Sequence, residues 1–216
     1  AVDVMENDEE VAIFCCDFYI IDREKRILNK YSSILDAIDY IDFPFSSGKR
    51  SFSDLYLRSV HSCGALLRRS TIDMVGKMDE NYRIGWDGEY FLRLLGKSHS
   101  YLYYYHKPLT GYHKTPNSLS TNLVQIYSEK LKIYKQLAID YPCLKDRLGW
   151  RVNKKIALVI VCLADAYKLN KRYAQTIYMA LKAILHYPPI IIFYYFSLLS
   201  IFFKKYRSMK VTFLKI

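Results

Sequence analysis

Residues 11–21 read Val-Ala-Ile-Phe-Cys-Cys-Asp-Phe-Tyr-Ile-Ile, an almost unbroken apolar run with charged residues on both sides. β-Branched and aromatic side chains dominate it. That length and composition predict a strand buried on both faces, the kind found inside an α/β layer. Outward from it, Asp22-Arg23-Glu24-Lys25-Arg26 reads as a turn into a second short strand. Residues 32–42 suit a short helix. Phe43 to Ser53 carries Pro44, Gly48 and several serines and reads as a loop. Val60 to Leu67 reads as strand or turn. It leads into a helix with cap chemistry in Ser70-Thr71-Ile72-Asp73 and an end at Gly76. Apolar residues at 91, 92, 94 and 95 give Asp87 to Leu95 a helical face. Tyr101–Tyr105 and Leu109–Tyr112 read as two strands broken by Lys107-Pro108.

The texture changes at Asn122. Beyond it only Gly149 remains among the glycines, and helical periodicity takes over. Helices are expected at about 122–141, 144–169, 171–186 and 189–206, punctuated by Pro142 and by Pro188-Pro189. Ala157 to Leu185 reads as a helical hairpin turning at Lys168–Lys171. Charge changes at the same place. Residues 1–122 hold 15 Lys+Arg and 17 Asp+Glu, a net −2, whereas residues 123–216 hold 17 and 4, a net +13. The basic excess of the later part implies an anionic partner.

The chain has 216 residues, 51% of them hydrophobic, which is ample for a core. It opens on Ala1 and reaches a strand-like run by Val11, so a piece of a longer protein is the expectation. The five cysteines show no C-x-x-C pair, and adjacent Cys15 and Cys16 would face opposite sides of a strand. Reduced thiols fit this pattern better than a disulfide framework or a zinc site.

Four blocks between Ser59 and Ser120 carry the chemistry. They are Leu66-Leu67-Arg68-Arg69-Ser70, Val75-Gly76-Lys77-Met78-Asp79-Glu80, Trp86-Asp87 followed by Tyr90-Phe91-Leu92-Arg93-Leu94, and Tyr112-His113-Lys114-Thr115-Pro116-Asn117-Ser118-Leu119-Ser120. In this order and spacing the blocks resemble family 2 glycosyltransferases of the GT-A fold. The resemblance implies an α/β fold with a partial GT-A domain over 1–121, a mixed sheet with flanking helices, and an all-α helical module over 122–216. It implies transfer of a sugar, with inversion, from a nucleotide-sugar donor to an acceptor hydroxyl, as in bacterial surface polysaccharide synthesis. The acceptor would be a glycan or a lipid-linked sugar. An alternative is a truncated or split product that is catalytically incompetent and serves as a partner or a membrane-associated helical scaffold.

Such a transfer needs a general base to take the proton of the attacking hydroxyl. In the family, the second acidic residue of the third block is that base, and Asp87 is the match. The competing reading makes Asp87 a helix cap. Family members commonly carry an acid just before it, where this chain has Trp86, whose indole could stack on a sugar. Glu89 would bind acceptor or be solvated, and Arg93 would make an ion pair. Ser62, Cys63 and Gly64 lie where the family's chain passes beneath the acceptor, and small residues there allow close approach. Aligned on Tyr112, Ser118 and Ser120, the family's histidine position holds Thr115, while His113 is the nearest candidate for a metal or diphosphate role.

A complete enzyme of this kind would use a divalent metal, Mg or Mn. Its Asp-x-Asp motif and its nucleotide-binding strands do not occur in these residues. Sheet strands missing from a partial domain would leave an apolar edge, from which aggregation or a homodimer is expected. Pro189 to Phe203 is a 15-residue apolar stretch followed by Lys204-Lys205-Tyr206-Arg207. It is shorter than the roughly 20 residues a spanning helix needs, and suits a helix lying on an anionic membrane surface or one buried against the hairpin. No nucleic-acid motif occurs, so nucleic acid is not the expected partner. A cytoplasmic protein, peripheral on the inner face of the cell membrane, is the expectation that results.

Overall fold

The computed structural model describes residues 1–21, 27–29, 46–58, 60–113, 115 and 119–191. The turn expected at 22–26, the helix expected at 32–42 and the apolar stretch beyond Ile191 lie outside them. The chain divides into two compact units, one ending at Thr121 and the other beginning at Asn122.

The first unit is a mixed sheet with helices. A short helix α1 (Val2–Glu6) leads into β1 (Val11–Ile21), which is buried along almost its whole length. There follow β2 (Ile27–Asn29), β3 (Gly48–Arg50), α2 (Phe52–Leu57), β4 (Leu66–Leu67), α3 (Arg69–Val75), α4 (Trp86–Ser98) and β5 (Tyr101–His113). The sheet order is β2-β1-β5-β3. β1 and β5 run parallel from Val11 opposite Tyr101 to Ile21 opposite His113. The other edge of β1 is shared by two antiparallel strands, β4 at Ile13–Phe14 and β2 at Ile20–Ile21. A parallel pair buried on both faces needs an apolar run, and residues 11–21 supply it.

Three expectations are corrected here. The Phe43–Ser53 loop gives way, in its described part, to β3 and the start of α2. A capping box closes that helix start: the Ser51 hydroxyl accepts from the Asp54 N–H, and the Asp54 carboxylate accepts from the Ser51 N–H. The helix α3 begins at Arg69 with Arg68 as its N-cap, so Ser70 does not cap it. Arg68 instead sends its guanidinium to the backbone carbonyls of Val11, Met5 and Asp8, tying the chain start to the sheet. Third, Lys107-Pro108 does not break β5. Two extra residues bulge out between the Cys16–Tyr105 and Asp17–Pro108 pairs, so the missing proline N–H falls at an irregular step of the ladder.

Leu102 of β5 is fully buried and lies opposite Ile13 of β1 and Arg50 of β3. Leu102→Ala leaves a void in a packed layer, and a loss of about 3 kcal/mol is expected in denaturant unfolding.

The second unit contains α5 (Leu123–Asp140), α6 (Cys143–Leu148), α7 (Trp150–Leu169) and α8 (Tyr173–His186). Asn122 caps α5 by accepting the Gln125 N–H at 3.1 Å. The single helix expected at 144–169 is two, because Gly149 turns the chain with φ +53 between α6 and α7. α7 is buried on nearly all sides, through Val152, Ile156, Ala157, Ile160, Leu163 and Ala164 among others, and packs on both α5 and α8. It and α8 form the expected hairpin, turning over Asn170–Arg172. Among the described residues no helix is long and apolar enough to cross a membrane.

Candidate functional site

The helix α4 opens on Trp86 with Gly85 as its N-cap, and carries Asp87 and Glu89 in its first turn and Lys97 in its last. This placement follows the helix dipole, which favours acids at the start and cations at the end. Tyr90, Phe91, Leu92, Leu94 and Leu95 are buried, so the core fixes the direction of the helix start. Asp87 is half-buried there. One of its oxygens, Oδ1, accepts the N–H of Gly88 at 2.9 Å. The other, Oδ2, accepts the hydroxyl of Ser62 at 2.6 Å. One oxygen thus serves the helix start, while the other points at a hydroxyl from a distant loop.

That loop is the Ser62-Cys63-Gly64 segment. The N–H of Ala65 donates to the Ser62 carbonyl at 3.0 Å, closing a turn with Gly64 as its third residue at φ +77. A methyl group on Gly64 would stand 2.7 Å from Cys16 Sγ and 2.9 Å from Thr110 Cγ2. The turn is therefore pressed onto β1 and the bulged part of β5, and this packing delivers Ser62 to Asp87. Cys63 Sγ lies 3.4 Å from the Thr110 hydroxyl. The Cys16 thiol donates to the Gly64 carbonyl at 3.7 Å.

The five cysteines are free. Burial pushes the Cys15 thiol far above the usual thiol range, with Cys16 and the Asp87 carboxylate adding to the effect. Burial likewise raises Cys16. Thiols held protonated in this way are packing groups rather than nucleophiles.

The remaining site residues separate by role. Trp86 is 40% exposed beside Asp87, with its indole available to a ligand. Glu89 is buried, which corrects the solvated reading. Its Oε1 takes the Arg93 Nε–H at 2.7 Å and its Oε2 an Nη2–H at 3.2 Å. Arg93 also donates to the Lys77 carbonyl at 3.0 Å, and the Tyr90 hydroxyl to the Gly76 carbonyl at 2.8 Å. These bonds lock α4 to the segment after α3, so Glu89 has a structural task. His113 is exposed at the end of β5, opposite Ile21, and no contact joins it to Asp87 among the described residues.

Other residues of this region were not singled out from the sequence. The His61 ring packs between Phe18 and Tyr112, with centroids at 4.7 and 5.0 Å, and its Nδ1 accepts the Cys63 N–H. Thr110 touches both Cys63 and the space beside Gly64. Asp17 is buried on β1 and accepts the Tyr104 hydroxyl, with its Oδ2 3.1 Å from His106 Nδ1. Its signal was legible: a lone acid inside an apolar strand must find partners. Thr110 and His61 carry no such signal, because their neighbours come from the bulge register.

Among the described residues no group of three or more His, Cys, Asp or Glu could hold a metal ion. No protein-family model matches the chain, and neither a curated protein nor a solved structure does.

Proposed function

We propose that this chain is the acceptor-side half of an inverting glycosyltransferase of GT-A architecture, with Asp87 as its general base. The observation that carries the reading is the 2.6 Å hydrogen bond from the Ser62 hydroxyl to Asp87 Oδ2. It puts Asp87 Oδ2 within hydrogen-bonding reach of a hydroxyl from outside its helix, the reach a base needs once an acceptor hydroxyl takes up that position. The sequence blocks around Asp87 support the same reading.

In the reaction, Asp87 takes the proton as the acceptor oxygen attacks the anomeric carbon of the nucleotide sugar. The bond to the nucleoside diphosphate breaks on the opposite face, giving inversion. Ser62 holds the carboxylate in place, and Trp86 offers a flat apolar surface to the sugar. The parallel β1–β5 pair and α4 form the rigid frame. The donor, its diphosphate and the metal belong to a nucleotide-binding half, contiguous or supplied in trans. The acceptor class is a glycan or a lipid-linked sugar.

The test is a transfer assay on the protein together with its donor-binding half. A panel of radiolabelled nucleotide sugars is supplied with lipid-linked and free glycan acceptors. Label in the acceptor that depends on Asp87 supports the proposal; no transfer from any donor sinks it. A second reading, a catalytically silent partner module, draws on the fact that the Ser62 hydroxyl already engages Asp87 Oδ2. Transfer that persists at the parent rate in Asp87→Asn would favour it.

A further inference from the structure

The helix α8 turns its most apolar side outward. Ala183 is its one buried residue, and the helix packs on α7. The outward side holds Ile177, Leu181 and Leu185, which are 61%, 57% and 84% exposed, with Tyr173 and Tyr178 beside them. Residues 177, 181 and 185 recur at one turn each and so stand one above another. No charged residue falls within that stripe. An aliphatic stripe along a four-turn helix is far more than the scattered apolar side chains of an ordinary surface.

Cations border the stripe. Lys182 lies on its edge, with its ammonium 5.6 Å over the Tyr178 ring. Lys171 and Arg172 precede the first turn. His186, in the last turn, is held below its usual range by burial first and by Lys135 and Lys182 second. Residues 123–216 carry a net charge of +13, from 17 Lys+Arg against 4 Asp+Glu.

We propose that the outward face of α8 docks on an anionic lipid bilayer, with Ile177, Leu181 and Leu185 entering the acyl boundary and Lys182, Lys171 and Arg172 meeting headgroup phosphates. This is the arrangement of an interfacial helix: an apolar stripe with cations along its border. Nucleic acid satisfies the cations but leaves the aliphatic stripe in water. An antiparallel second copy covers the stripe but brings the Lys182 edges of both copies together. The sequence after Ile191 is again apolar, yet it runs into Lys204-Lys205-Tyr206-Arg207, of the same sign as the border. An anionic bilayer satisfies stripe and border at once. The proposal is independent of the transferase reading and does not use the Asp87 region.

The experiment is co-sedimentation of the full chain with sucrose-loaded vesicles, either phosphatidylcholine alone or phosphatidylcholine mixed with phosphatidylglycerol. The parent is expected to bind the mixed vesicles, and to lose binding as salt is raised. Ile177→Glu/Leu181→Glu is expected to weaken partitioning about tenfold or more, with an unchanged melting temperature because both side chains are exposed. Lys182→Glu is expected to weaken binding to mixed vesicles only. Equal binding by the parent and the Ile177→Glu/Leu181→Glu variant overturns the proposal. So does a dimer in lipid-free solution that the same variant dissolves, or a lowered melting temperature, since either result means that protein covers the face. Tight, salt-sensitive binding to a DNA duplex with none to mixed vesicles also overturns it.

Discussion

Asp87→Asn is expected to reduce the turnover of sugar transfer about 10³-fold in the complete enzyme, within the range that general-base removal produces. Asparagine has the shape of aspartate and no capacity to take the acceptor's proton. Its effect on folding is small and can be derived. The carboxylate accepts from Gly88 N–H on one oxygen and from Ser62 on the other. An amide keeps its oxygen for the Gly88 N–H and can donate its NH2 to the Ser62 oxygen, so a charge-assisted bond becomes a neutral one, at about 1 kcal/mol or less. On the proposed reading the nucleotide-binding half holds the donor, so the KM for nucleotide sugar is expected to stay near the parent value. Steady-state kinetics beside a thermal melt checks all three statements. Ser62→Ala is the companion measurement. It removes a group that positions the carboxylate but leaves the base in place, so only about a tenfold fall in turnover is expected. Equal losses in the two variants would mean that the pair, not the carboxylate alone, sets the rate.

Several features of this arrangement were legible because they depend on local pattern. The β1 strand was readable since eleven successive residues are apolar apart from Asp17, and their β-branched and aromatic content favours a buried strand over a buried helix. The α4 helix followed from its apolar face, and its start from the acids in the first turn. The α7–α8 hairpin followed from periodicity around a cationic turn. What escaped depends on distant partners. β3 forms at Gly48–Arg50, where composition says loop, because β5 offers it an edge at Leu102–Tyr104. Pro108 reads as a strand breaker, but the bulge places its missing N–H where the ladder is already irregular. Glu89 reads as solvated when a carboxylate is taken singly; Arg93, one turn on, supplies the partner that lets it be buried. At the site itself, Asp87 and Ser62 could each be singled out from the sequence, but their contact could not. It is made by a turn and a helix start 25 residues apart.

That contact depends on Gly64, and Gly64→Ala is expected to be the most destabilising single change at the site, at about 4 kcal/mol. Two costs add. A left-handed backbone at φ +77 is unfavourable for alanine by about 1–2 kcal/mol. The new methyl then meets Cys16 Sγ at 2.7 Å and Thr110 Cγ2 at 2.9 Å, and overpacking of this kind costs about 1–3 kcal/mol. Neither neighbour can swing aside easily, since Cys16 is buried on β1 and Thr110 sits on the bulged strand paired with Phe18. The two costs separate experimentally. Cys16→Ala in the Gly64→Ala background removes the closer obstacle and is expected to restore part of the clash cost, leaving the backbone cost untouched. Urea unfolding of the single and double variants measures each share; no recovery in the double variant would mean that the backbone conformation carries the whole effect. The same change bears on chemistry. A turn pushed off β1 carries Ser62 away from Asp87, so a protein that still folds with alanine at position 64 is expected to lose at least as much turnover as Ser62→Ala. If it kept the parent rate, the base would not need the Ser62 hydroxyl, and positioning of the carboxylate would fall to the Gly88 N–H alone.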